Sequence, residues 1–82
     1  MAKDLSYWKK EFTKKEDAQF LNSVRGFNNF AIYDSFRTEE GLTTDELQKL
    51  TRFLVSECLD RDLPIPSGGY IDLIEIGQKL EE

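Results

Sequence analysis

Few residues of this chain are of a type that does chemistry, and their spacing is unhelpful to it. The 82 residues include no histidine and a single cysteine, Cys58. Imidazole acid–base catalysis, Ser-His and Cys-His nucleophile pairs and histidine metal sites are therefore excluded by composition. Cys58 continues the series Leu47, Leu50, Leu54 at i, i+3, i+7, i+11, so a buried structural thiol is expected rather than a reactive one, which needs a basic and partly exposed setting. Alone it forms neither an internal disulfide nor a thiolate metal centre. Gly68-Gly69 has no Gly-x-Gly-x-x-Gly or Gly-x-x-x-x-Gly-Lys frame and no nearby lysine, so it reads as a turn and not as a phosphate cradle.

Carboxylates are what remains. Gly41-Leu42 followed by Asp45-Glu46 echoes the second half of a calcium loop, but with Glu46 as the last ligand the earlier ligand positions become Ser35, Arg37 and Glu39, and Gly41 falls one place late. An arginine among the ligands excludes the site. Asp60 with Asp62, and Asp72 with Glu75, fall at element ends or on outward faces, where acids serve as solvated surface. The functional alternative is that Glu39, Glu40, Asp60, Asp62, Asp72 and Glu75 form one negative patch that meets a basic surface on a partner, or stands in for nucleic-acid phosphates. Trp8, Tyr33, Tyr7 and the apolar strap Leu63-Pro64-Ile65-Pro66 are the side chains best suited to anchor an interface; the competing reading of Trp8 is a core plug.

Charge and aromaticity divide the chain. Residues 1–37 carry seven Lys or Arg against five acids, giving +2, whereas residues 38–82 carry four against eleven, giving −7, for a net charge of −5. Eight of the ten aromatic residues precede residue 38. An acidic chain is a poor non-specific ligand for nucleic acid or anionic membrane, where association depends on positive charge releasing counterions. No run approaches the roughly 18 to 20 apolar residues that span a bilayer, and Met-Ala-Lys-Asp lacks the apolar centre of a signal peptide. The expectation is a cytoplasmic protein with a protein partner, no membrane association and no cofactor.

The elements that would position these residues are legible to different degrees. Thr43 as N-cap with Glu46 three residues later forms a capping box, and Leu42 before the cap can staple onto Leu47. A helix follows to about Asp60, with Leu47, Leu50, Leu54, Cys58 and Phe53 inward and Asp45, Lys49, Arg52, Ser56 and Asp60 outward. Residues 4–12 read as a short helix on Leu5, Trp8 and Phe12. Thr13 and Glu16 predict a second capping box and a helix starting at Lys14, with Phe20, Leu21, Val24, Phe27 and Ala31 on its apolar side and Gly26 either inside it or capping its end. Residues 27–37 and 70–76 carry ambiguous periodicity. Both are assigned as helix, with Tyr70, Leu73, Ile74, Ile76, Gly77 and Leu80 on one side of the last one and Asp72, Glu75, Lys79 and Glu82 on the other. Pro64 and Pro66 hold the connection extended, and Ser67 is a possible cap.

The fold class expected is all-α, a single domain over 1–82 built as a bundle of about four helices, with strands near 30–36 and 70–76 as the alternative. A helix capped at its start, a second capped helix, an Asp-Leu-x-x-Pro-like strap at Asp62 to Pro66 and a last short helix resemble the immunity proteins of nuclease bacteriocins, which are small, acidic and four-helical. That resemblance implies a nuclease inhibitor. The chain departs from the pattern by lacking paired tyrosines before the proline and by a longer stretch between the capped helices. The function expected from the residues themselves is non-catalytic: a small acidic regulator or inhibitor that docks on another protein. The alternative from a different class is a helix-turn-helix-like DNA-binding module that sets Lys9, Lys10, Lys14 and Lys15 against phosphate.

Overall fold

Five helices follow one another in a computed structural model that describes residues 4–81: α1 (Leu5–Thr13), α2 (Asp17–Phe27), α3 (Phe30–Thr38), α4 (Thr44–Asp60) and α5 (Leu73–Glu81). The all-α expectation holds, with five helices, and no strand forms among the described residues. Glu82, expected on the polar side of the last helix, lies outside them. No helix among the described residues is long and apolar enough to cross a membrane.

α4 is the axis. Its start is the expected capping box: the Glu46 N–H donates to Thr43 Oγ1 at 3.1 Å and the Thr43 N–H donates to the Glu46 carboxylate at 3.0 Å. The stapling pair Leu42 and Leu47 are both buried in the core. Leu47, Leu50, Leu54 and Cys58 form the inward face as expected, but Thr51 and Val55 are buried as well, so the apolar face is wider than a single stripe. The cause is tertiary, because α4 packs against α1, α3 and α5. Thr51 enters the core at little cost, since its hydroxyl donates to the Leu47 carbonyl at 2.8 Å.

The far end of α4 closes in a Schellman arrangement. The Leu63 N–H donates to the Cys58 carbonyl at 2.9 Å and the Asp62 N–H to the Leu59 carbonyl at 3.1 Å, across Asp62 at φ +57°. Arg61 then ties this end to the α1–α2 turn. Its guanidinium donates to the carbonyls of Thr13 (2.9 Å) and Lys15 (2.8 Å), pairs with Glu57 (2.9 Å) and Asp17 (3.1 Å), and lies 4.5 Å from the centroid of the buried Phe20 ring.

That contact corrects one expected boundary. Thr13 is the last residue of α1, its hydroxyl donating to the Lys10 carbonyl, and not an N-cap; α2 starts after Glu16, which makes no side-chain capping bond. The Thr-x-x-Glu spacing is present, yet the guanidinium of Arg61 fixes the turn one helical turn further on. Residues 27–37 are also not one segment. Phe27 ends α2, Asn28 is buried, and Asn29 caps α3 by accepting from the Ala31 N–H at 2.9 Å.

The last helix starts later than its apolar pattern indicates. The Tyr70 N–H donates to the Asn28 carbonyl (2.9 Å), the Ile71 N–H to Asn28 Oδ1 (2.7 Å), and Asn28 Nδ2 donates to the carbonyls of Gly68 (2.8 Å) and Ile71 (3.0 Å). Backbone groups committed to that latch cannot also join a helix. Asp72 therefore takes the capping position, accepting from the Glu75 N–H at 3.1 Å, and Ser67 does not. Leu73 and Gly77 face inward, whereas Tyr70, Ile74 and Leu80, expected on that side, are exposed. Gly77 lets the chain close up: a Cβ there would stand 2.5 Å from Ile65 Cδ1 and 3.4 Å from Val55 Cγ1. The double-proline strap and α5 thus seat together on α4.

Candidate functional site

Between α3, α4 and α5 lies an open groove of about 420 Å³. α4 supplies Gln48, Thr51 and Arg52, which fall on one flank at i, i+3, i+4, with Val55 continuing that flank beneath α5. Ile71 enters from the latched segment, Ile76 and Lys79 from α5, and Tyr33 from α3. α5 runs back along α4, since Gly77 meets Val55 while Lys79 shares the groove with Gln48 and Arg52.

The floor is apolar and the wall carries hydrogen-bonding groups. Burial pushes the Tyr33 phenol above its ordinary value, the neighbouring Tyr70 phenol adds to the effect, and a hydrogen bond with Thr51 opposes it. The rim is cationic. Arg52 and Lys79 line the groove and no carboxylate among the described residues does, although the surrounding half of the chain carries −7. Arg52 takes part in none of the ion pairs among the described residues, and Lys79 meets only Glu75, at 3.4 Å with both side chains more than half exposed. Such an exposed pair contributes little and leaves Lys79 able to exchange partners.

Beside the groove stands an aromatic ledge. Phe30 is 57% exposed and Tyr70 55% exposed, yet their rings meet edge to face at 4.9 Å, and Tyr70 lies 5.4 Å from Tyr33. From Tyr33 ring contacts continue inward through Phe27 and Phe36 to Trp8 and Tyr7, with Phe12 against Phe27. Seven of the eight N-terminal aromatic residues, all but Phe20, thus join with Tyr70 in one chain of rings that runs from the core to the surface.

The residues singled out from the sequence are distributed differently. Tyr33 lies in the groove and is half-buried; Trp8 is half-buried against Phe36 on the side of α1. Glu39 and Glu40 precede α4 whereas Asp60 and Asp62 close it, so the two pairs belong to opposite ends of a helix about 24 Å long at ~1.5 Å per residue. Asp72 caps α5 and Glu75 pairs with Lys79. Of the lysines, Lys9 lies 5.2 Å from the Phe53 ring centroid and Lys14 pairs with Glu11 at 3.3 Å.

Sequence reasoning missed Gln48, Thr51, Ile71, Ile76 and Lys79 as one site, placed Arg52 merely in solvent, put Tyr70 on the apolar side of the last helix and gave Phe30 no place. The only trace was the i, i+3, i+4 flank on α4, which has no meaning until α5 lies beside it. An apolar floor, a few convergent polar groups and a charged rim are features that ligand pockets share. Compared with protein-family models, with curated proteins and with solved structures, the chain matches none.

Proposed function

We propose that this chain is a non-catalytic protein-interaction module and that it docks through the Phe30–Tyr70 ledge and the groove behind Tyr33. The observation that carries this reading is the ledge itself: two large rings more than half exposed, held against each other and against a third ring rooted in the core. Apolar side chains scattered singly over a surface need no explanation, whereas an ordered aromatic cluster beside a cavity loses little side-chain entropy on docking and offers large contact area. The acids at the two ends of α4 are then solvating charge and long-range steering, not the contact itself.

Affinity capture from the native cell tests it when run in parallel with the Phe30→Ala/Tyr70→Ala variant. Both side chains point outward, so the variant keeps the fold, which circular dichroism checks. The expected result is one stoichiometric protein partner whose affinity falls by about tenfold or more in the variant. A partner held equally by both forms would move the interface elsewhere. No partner, together with turnover of a metabolite by the purified chain, would overturn the reading.

A further inference from the structure

We infer that the groove receives an acidic segment of the partner protein, a short stretch with an apolar anchor flanked by Asp or Glu. This rests on the reading of the chain as an interaction module and names the chemistry of what it holds. Among the described residues the groove inverts the sign of its surroundings: Arg52 and Lys79 line it and no described acid does, in a half of the chain where acids outnumber bases eleven to four. A basic segment would meet those two cations at the rim, and like charges brought together across an interface select against a partner. An acidic one finds a guanidinium that takes part in no ion pair among the described residues and an ammonium paired there with a solvated glutamate.

The floor sets the second requirement. Ile71 and Ile76 offer apolar surface to an anchor, while Gln48 and the Tyr33 phenol line the same groove and can hydrogen-bond backbone amides and carbonyls. The shape selects a polypeptide rather than a compact anion. The groove is open, and Tyr33 in its lining meets the ring of Tyr70, which meets that of Phe30, so an occupant that covers both groove and ledge must be longer than the cavity alone. The planar guanidinium of Arg52 suits bidentate pairing with a carboxylate, and Lys79 supplies a point charge across from it.

The test titrates the isotope-labelled full chain with two synthetic peptides that share one Phe-x-x-Leu anchor, one flanked by aspartates and the other by lysines. The aspartate peptide is expected to bind about tenfold more tightly or better, to weaken with added salt, and to shift the amide signals of Thr51, Ile71 and Ile76. Arg52→Glu, at an exposed position that leaves the fold intact, should abolish or invert the preference. Equal binding of both peptides, tighter binding of the lysine peptide, shifts confined to another surface, or self-association of the chain through the groove would each overturn the inference. So would binding of neither peptide; if Phe30 and Tyr70 still hold a captured partner in that case, the module reading stands and only the acidic-segment assignment falls.

Discussion

Single residues set which parts of this chain are rigid. Arg61 joins elements far apart in sequence through two carbonyls and two carboxylates, with its side chain only 16% exposed, so removing it orphans the carbonyls that end α1. Arg61→Met is expected to cost about 2 to 4 kcal/mol in urea denaturation. Arg61→Lys should recover little of it, because one ammonium cannot span the four acceptors that a fork of N–H donors reaches. Tyr33 offers a pH test. Its phenol is raised by burial, so the neutral form is the one that the fold favours; that contribution to stability is complete below the unfolded phenol value and disappears as pH rises through the folded one. An alkaline absorbance titration should therefore contain a late component that Tyr33→Phe removes, and stability above about pH 10 should fall less steeply in the variant. Loss of an ordinary component in place of a late one on Tyr33→Phe would mean that the phenol is not buried against the groove wall. Cys58, raised by burial as its place on the inward face implies, belongs to the same set of core groups.

Elements carry their own record of compromise. Gly26 sits inside α2, where a methyl group would meet nothing closer than Ile32 Cδ1 at 3.9 Å, so Gly26→Ala is expected to stabilise by about 0.5 to 1 kcal/mol. Gly69 is the opposite case: at φ +94° its Cβ would fall 2.6 Å from Asn28 Nδ2 and 2.8 Å from the Asn28 carbonyl oxygen, and Gly69→Ala should disrupt the latch that starts α5. Thermal melts of the two variants, moving in opposite directions, check both. Asp62 holds the left-handed position after α4 and sets a negative charge at the helix end where the backbone carbonyls already point. Asp62→Gly should gain about 1 kcal/mol from backbone and helix-dipole effects together. A loss instead would mean that the carboxylate makes a compensating contact in solution.

For the molecule as a whole, the five helices share one core, with Phe12 of α1, Phe20, Val24 and Phe27 of α2, Phe36 of α3, the inward face of α4 and Leu73 of α5 in a single cluster. Unfolding should accordingly be one cooperative step. Trp8 on α1 reports one edge of that cluster by fluorescence, while far-ultraviolet circular dichroism reports all the helices. Coincident urea transitions are expected, and Leu54→Ala should shift both together by about 2 to 5 kcal/mol. Separate transitions would show that α1 or the strap with α5 melts on its own. Charge is likewise arranged over the whole surface: acids gather at the ends of α4, while the groove between α3, α4 and α5 keeps cations.

The sequence by itself determined what depends on near neighbours. Thr43 with Glu46 specified where α4 begins, the Leu47–Cys58 spacing specified most of its inward face, and the two prolines specified an extended strap, because caps, helical periodicity and proline geometry act within a few residues. The absence of histidine and the single cysteine narrowed the chemistry in the same direct way. Tertiary structure alone decided where capping competed with a distant donor. Thr13 and Glu16 have the spacing of a cap, but Arg61, more than forty residues on, claims the turn. Tyr70 and Ile71 have the pattern of a helix, but Asn28 takes their amides first. The groove is the extreme case, since Tyr33, Arg52 and Lys79 become one site only when α5 is drawn back along α4 by the close approach of Gly77 to Ile65 and Val55. No local preference encodes that meeting; it follows from which buried surfaces fit together once all five helices are present.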